Sequence, residues 1–208
     1  MDKREEKLTI QRILIGLDAS HHSLAALRAA AKLASSLGAE LHGLFVEDIN
    51  LLRAAEFPSA EELEFPFAKQ ARLSPKRMRR QLRAQAQQAR RALASICEQK
   101  QIEWSFRVVQ GDVSAIVLEE AAKADLLCIG RASRPVMYQP SIGSTAEAAA
   151  TAAPRSVLLI SRDRQLHPPI AVLYDGSPDT EEALVLASQL RQNDTTTRRV
   201  LSSYWTTS

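Results

Sequence analysis

Short apolar runs alternate with stretches of helical period along most of this chain, and that alternation leaves few folds open. Ile10 to Leu17, Leu41 to Val46, Trp104 to Val109, Leu126 to Ile129 and Ser156 to Ile160 are strand-length segments without a clean polar alternation. Between the first two, Leu24, Leu27, Ala31, Ala34 and Leu37 recur at helical spacing, and Gly38 is a good helix stop. Ser74-Pro75 reads as the cap and first-turn proline of a long helix with Met78, Leu82, Ala86, Ala89, Leu93 and Ile96 on its apolar face. Gly111-Asp112 turns into a helix through Ile116, Leu118 and Ala122, and Ala146 to Ala153 reads as another. Strands that alternate with helices predict an α/β fold with a doubly wound parallel sheet, covered on both faces. Ligands in such sheets bind beyond the carboxyl ends of the strands, at the point where strand order reverses.

Two such strand ends carry suggestive residues. After Leu126-Leu127-Cys128-Ile129 come Gly130-Arg131-Ala132-Ser133, nine residues, and then Gly143-Ser144-Thr145 before the alanine-rich helix. A strand, a loop of small residues and a helix start together make an anion site, because backbone N–H groups and the positive end of the helix dipole converge there. The first strand ends in Asp18-Ala19-Ser20. Either Asp18 or Ser20 could instead simply cap the helix that follows, and Gly143-Ser144-Thr145 taken alone could be an ordinary cap.

The same turn occurs twice. Ile170 to Ser177 matches Ile13 to Ser20 without a gap, pairing Asp175 with Asp18 and Ser177 with Ser20, and the same offset carries Leu27 onto Leu184 and Leu33 onto Leu190. The expected organisation is therefore a module over 1–161 with an insertion at 47–73 and a linker at 162–169. A partial second module over 170–191 and a flexible polar tail over 192–208 complete it. The insertion has no clear period, contains Pro58 and Pro66, and is rich in glutamate. A strand and helix alone cannot satisfy their own backbone groups or bury their apolar face. The partial module is thus expected to dock near the Ser156–Ile160 edge.

At this point the chain resembles the universal stress proteins, over residues 10 to 161 and again, truncated, from 170 to about 191. Nucleotide-binding members of that family carry Gly-x-x-Gly, nine residues and Gly-Ser/Thr; here the second glycine is Ser133. The resemblance implies a five-stranded parallel sheet of the adenine-nucleotide alpha-hydrolase-like type. It also implies an ATP or other adenine-nucleotide site, with or without magnesium, built from Gly16, Asp18, Ser20, Val46, Ile129, Gly130, Arg131, Ser133, Gly143, Ser144 and Thr145. Asp18 and Val46 would face the adenine and ribose, and the glycine loop the phosphates. Arg131 or Arg134 could supply charge where the glycine is lost. The implied role is a stress-response sensor or adaptor, homodimeric through the Ser156–Ile160 edge, in which nucleotide orders the 131–143 loop. Alternatives are a nucleotide-free interaction module of the same fold, or a nucleic-acid binder using the basic helix at 76–83.

Composition narrows the remaining classes. The chain has 208 residues, is 45% hydrophobic and 25% charged, and carries a net charge of +3, as expected of a soluble globular protein. It shows no stretch of membrane-spanning length and no signal-like apolar region after Met1 to Lys7, so a cytoplasmic setting is expected. Cys97 and Cys128 lie in a helical and a strand pattern and read as buried, reduced thiols. His21 and His22 are adjacent and do not share a helix face, and His42 and His167 lack ligand spacing, so no metal site is expected. Phosphate-binding and nucleophile motifs of the common hydrolases are missing, which leaves at most slow hydrolysis of a bound nucleotide. Lys76, Arg77, Arg79, Arg80 and Arg83 crowd one helix start, against the dipole. Glutamates of the insertion would offset them in the plainer reading; a patch for an acidic partner or nucleic acid is the other.

Overall fold

A computed structural model describes residues 10–56, 61–64, 69–72, 74–131 and 142–160, together with 176–178, 180, 181, 183–185 and 187. Its elements run β1 (Arg12–Gly16), α1 (His21–Leu37), β2 (Glu40–Asp48), α2 (Ile49–Ala54), β3 (Glu61–Glu64), β4 (Lys69–Arg72), α3 (Pro75–Lys100), β5 (Trp104–Gly111), α4 (Val113–Ala121), β6 (Leu126–Gly130), α5 (Ser144–Ala152) and β7 (Ser156–Ile160). Five strands form one parallel sheet in the order β5-β2-β1-β6-β7. The chain winds outward from β1 through β2 to β5, then returns to β6 on the other side of β1. The order therefore reverses between β1 and β6, and right-handed crossovers put the helices on both faces.

Side chains divide between those faces with the strand period of two. Ile13, Ile15, Leu41, Phe45, Leu126 and Cys128 join α1 and α3 in the larger core cluster. Leu14, Leu44, Leu127 and Ile129 join Val117 and Ala121 of α4 and Ala146 and Ala149 of α5 in the smaller one. Alanines dominate the buried face of α1, so that helix can lie close to the strands. At the amino end of the sheet the Asp125 carboxylate accepts from the N–H groups of Gln11 and Arg12 at 2.9 Å each. That contact fixes the register of β1 against β6.

The helix limits follow local chemistry. Gly38 ends α1 in the left-handed conformation, with its N–H returned to the Ala34 carbonyl. Asp112 caps α4 through a 3.0 Å bond from the Ala115 N–H. The long helix starts at Pro75 as expected, although Ser74 makes no side-chain cap bond. The stretch read as aperiodic from 47 onward is more ordered than its sequence suggests. Strand β2 runs on to Asp48, whose carboxylate caps α2, and β3 and β4 pair antiparallel with Glu61 opposite Arg72. The last helix begins two residues before the alanine run, at Ser144.

The described residues near the chain's end repeat the β1–α1 turn. Gly176 has φ +83 where Ala19 has φ +60. The Thr180 hydroxyl donates to the Ser177 carbonyl at 3.0 Å, as the Ser23 hydroxyl does to Ser20 at 3.1 Å. The Glu181 N–H bonds the Ser177 carbonyl as the Leu24 N–H bonds that of Ser20. The strand and tail expected around this turn, the linker, and any docking on β7 lie outside the described residues.

Candidate functional site

A cleft of about 750 Å³ opens at the carboxyl end of the sheet, over the reversal between β1 and β6. Gly16, Asp18, Ser20, Val46, Ile129, Gly130, Gly143, Ser144 and Thr145 all line it. Residues far apart in sequence are thus brought to one place by topology. Arg131 does not line the cleft. Its main chain instead joins the end of β7 to the start of α5: its N–H donates to the Ile160 carbonyl and its carbonyl accepts from the Gly143 N–H, both at 2.9 Å. Ser133 lies outside the described residues.

One wall is the start of α5. Gly143 is the cap residue in an extended conformation, and its carbonyl accepts the first helical bond, from Glu147, at 2.9 Å. The N–H groups of Ser144, Thr145 and Ala146 precede that bond and find no acceptor among the described residues. They face a cleft that Ser144, Thr145 and Ala146 themselves line. This is a concentration of donors and partial positive charge suited to an anion.

The opposite wall is acidic. Of three neighbouring strands, β2 ends in Asp48 while Asp18 and Asp112 follow β1 and β5 by two and one residues, and all three aspartates line the cleft. Each has one oxygen committed to its own turn. Asp18 Oδ1 accepts from the Ser20 N–H at 2.9 Å, Asp48 Oδ1 from the Asn50 N–H at 2.8 Å, and Asp112 Oδ1 from the Ala115 N–H at 3.0 Å. The Asn50 side chain also reaches Asp112 Oδ2 at 3.4 Å. Such a wall repels phosphate and accepts from hydroxyl or amino groups. Between the two walls, Val46, Leu51, Leu82, Val117 and Ile129 supply an apolar floor. Ile142, 47% exposed, stands at the edge.

The structure resolves which residue of the first turn caps α1. Ser20 does: its hydroxyl accepts from the Ser23 N–H at 3.1 Å. Asp18 acts one step earlier, holding the Ser20 N–H so that Ala19 can sit at φ +60. Gly130 also has a local reason to be glycine. A Cβ there would lie 3.0 Å from the carbonyl carbon of His22, 3.1 Å from its oxygen and 3.2 Å from its Cβ. The first turn of α1 therefore passes directly over Gly130, and close packing alone favours glycine at this point. Gly16 is different: its Cβ would meet only the Ile129 side chain, at 3.7 Å.

Among the described residues the other titratable groups stay out of the cleft. Burial pushes the Cys128 thiol up to about 12, and burial with the charge of Glu98 pushes Cys97 up to about 11. Both are buried and free, and neither is poised as a nucleophile. His22 Nδ1 is buried without a partner among the described residues. No group of three or more potential metal ligands occurs among the described residues. Among those residues, too, no helix is long and apolar enough to cross a membrane.

Asp48, Asn50 and Asp112 were not legible as site residues. Their only sequence signal is the recurrence of aspartate at strand ends, and Asp48 falls inside the stretch that lacked periodicity.

Comparison with solved structures finds the same fold. A universal stress protein from Archaeoglobus fulgidus aligns with a TM-score of 0.66 at 15% identity, covering 95% of this chain and 67% of that one. The universal stress protein UspA from Lactobacillus plantarum aligns with a TM-score of 0.54 at 20% identity, covering 73% and 97%. A universal stress protein family member from Arabidopsis thaliana, solved with AMP bound, aligns with a TM-score of 0.50 at 14% identity, covering 74% and 92%. A comparison with curated proteins finds no match. The sequence model of the universal stress protein family matches residues 9–161. With that match over most of its length and this sheet order, the chain belongs to the universal stress protein family.

Proposed function

We propose that this protein binds an adenine nucleotide in the cleft, ATP being the expected ligand, and acts in the cytoplasm as a sensor or adaptor in a stress response. The observation that carries the reading is the opposition of the two walls. Free helix N–H groups at Ser144, Thr145 and Ala146 face aspartates at the ends of β1, β2 and β5 across an apolar floor. Charge then sets the orientation. Phosphates lie against the start of α5, while ribose hydroxyls and the adenine amino group turn towards Asp18, with the base against Val46. Magnesium, where a triphosphate brings it, would be held mainly by the phosphates, since the residues described here form no dedicated metal cage. The Arabidopsis relative with AMP bound supports this class of ligand.

The chemistry offered is binding, not turnover. Among the described residues that line the cleft none is a cysteine, lysine or histidine, so any hydrolysis is expected to be slow. Signalling would follow from a difference in partner or dimer contact between the free and bound states. The β7 edge, expected to pair with a second copy or with the repeat at 170–191, is the surface for that contact. Replacing Gly143 with valine tests the site, because a branched side chain at the cap would crowd the phosphate position. Calorimetry with ATP should show binding by the native chain and none by Gly143→Val. Equal affinity would overturn the assignment, and absence of binding by the native chain would favour the nucleotide-free interaction module.

A further inference from the structure

The other edge of the sheet is built unlike a bare edge. Strand β5 is the outermost strand on that side, and among the described residues it pairs only with β2. The Glu103 carbonyl accepts from the Leu41 N–H at 2.9 Å, so Glu103 faces β2. With the strand period of two, the main-chain groups turned outward belong to Trp104, Phe106, Val108 and Gln110. The side chains of Trp104, Phe106 and Val108 line a groove of about 500 Å³ beside α3, with Ala86, Gln87 and Arg90 on its other wall. Val108 is 48% exposed. Long edges with exposed apolar side chains invite another strand.

The flank of this groove is strongly basic. Lys76, Arg79, Arg80, Arg83, Arg90 and Arg91 are all exposed, and none has an ion pair among the described residues. At about 100° per residue they fall within about 120° of helix circumference, centred about 110° round from the buried stripe of Met78, Leu82, Ala86, Ala89, Leu93 and Cys97. Arg83 and Arg90 lie two turns apart, about 10.5 Å along the axis, and Arg90 reaches the groove itself. Arg107, which points to the opposite face of β5, is held by Glu120 of α4 at 3.0 Å and is not part of the stripe.

We propose that the β5 edge and the α3 stripe form one docking surface for an acidic, extended peptide segment of another protein, which adds to the sheet as a sixth strand. Its main chain completes the outward groups of Trp104, Phe106 and Val108; on its α3-facing side, apolar side chains enter the groove and carboxylates at other positions of that same face meet the arginines. The edge favours a peptide over a nucleic acid, because an array of main-chain donors and acceptors at strand spacing is completed by another strand. Trp104 and Phe106 are packed against the core and only partly exposed. They therefore wall a groove and do not stand free as stacking platforms for bases.

Hydrogen exchange on the full chain tests this residue by residue. In the free protein the amides of Trp104, Phe106 and Val108 should exchange fast, while those of Ser105, Arg107 and Val109 stay protected by β2. A peptide of about ten residues with valine and glutamate sharing the alternate positions that face α3, and threonine at the positions between, should slow the first set selectively. The same peptide N-methylated at alternate positions should not. Arg83→Glu with Arg90→Glu should weaken peptide binding about tenfold or more at low salt, with the melting temperature unchanged. Four results would overturn the proposal: outward amides already protected in the free chain at all concentrations; outward amides protected by self-association, which makes the edge a contact between copies; equal binding of the methylated peptide; or no saturable protection up to about 1 mM peptide. Tighter binding of a single-stranded oligothymidylate, with no change at the outward amides, would make the stripe a nucleic-acid surface instead.

Discussion

Gly130→Ala and Gly16→Ala form a matched pair that isolates one contact. Both glycines end strands, both line the cleft, and neither has a positive φ. A methyl at 16 meets only Ile129 Cγ1 and Cδ1, at 3.7 and 3.8 Å, which is ordinary contact. A methyl at 130 meets the His22 carbonyl carbon at 3.0 Å and its oxygen at 3.1 Å. That neighbour is backbone in the first turn of α1, tied down by the Ser20 cap, so the helix must shift by a few tenths of an ångström. Overpacking of this kind costs about 1–3 kcal/mol. Both substitutions restrict the unfolded chain equally, a gain of about 0.4–1 kcal/mol that cancels in the comparison. Gly130→Ala should therefore be less stable than Gly16→Ala by about 1–3 kcal/mol, or about 2–12 °C in melting temperature for a domain of this size. Urea unfolding followed by circular dichroism gives the difference directly. Gly130→Ala equal to or more stable than Gly16→Ala would refute the close approach of α1 to β6 on which the cleft is built.

Ser20→Ala should cost about 1 kcal/mol, since it removes the acceptor for the Ser23 N–H; a loss under about 0.3 kcal/mol in the same urea assay would contradict the cap. Asp18→Asn keeps an oxygen for the Ser20 N–H but removes the charge, so the melting temperature should hold while affinity for adenosine nucleotides falls about tenfold in calorimetry; unchanged affinity would remove Asp18 from ligand contact. The buried thiols set an alkaline limit. Unfolded cysteines ionise near 9.0, whereas the folded ones stay protonated to about 11 and 12. The thiols' contribution is therefore complete below pH 9 and is lost as pH rises, up to about 11 for Cys97 and about 12 for Cys128. A Cys128→Ala variant should lose part of that slope in denaturation measured across this range, and an unchanged slope would contradict the linkage.

The main sheet was legible because its strands are short, apolar and separated by strong punctuation. Gly38, Pro75 and Gly111-Asp112 mark boundaries that the structure keeps within a few residues. The cleft wall at the start of α5 was legible because Gly130 and Gly143-Ser144-Thr145 flank a strand and a helix start. The acidic wall was not, since each aspartate viewed alone is an ordinary cap, and only the strand order β5-β2-β1 sets three of them side by side. Helix α2 was missed because its six residues span too few turns to show a period, and only Leu52 in it is buried. The role of Gly130 was legible as a need for glycine, but the neighbour a Cβ would meet is the His22 backbone. The groove beside β5 was hidden for a related reason: Arg90 and Trp104 belong to different elements, and only folding puts them on facing walls.

The central claim is tested most directly by titrating ATP into nucleotide-free, isotope-labelled protein and following the backbone amides. Saturable shifts should be largest at Ser144, Thr145 and Ala146 and appear also at Asp18 and Val46, with the β5 edge unaffected. AMP should shift Asp18 and Val46 alike but move the α5 amides less. No saturable change at Ser144, Thr145 and Ala146 up to millimolar ATP, or changes confined to the arginines of α3, would contradict nucleotide binding in this cleft.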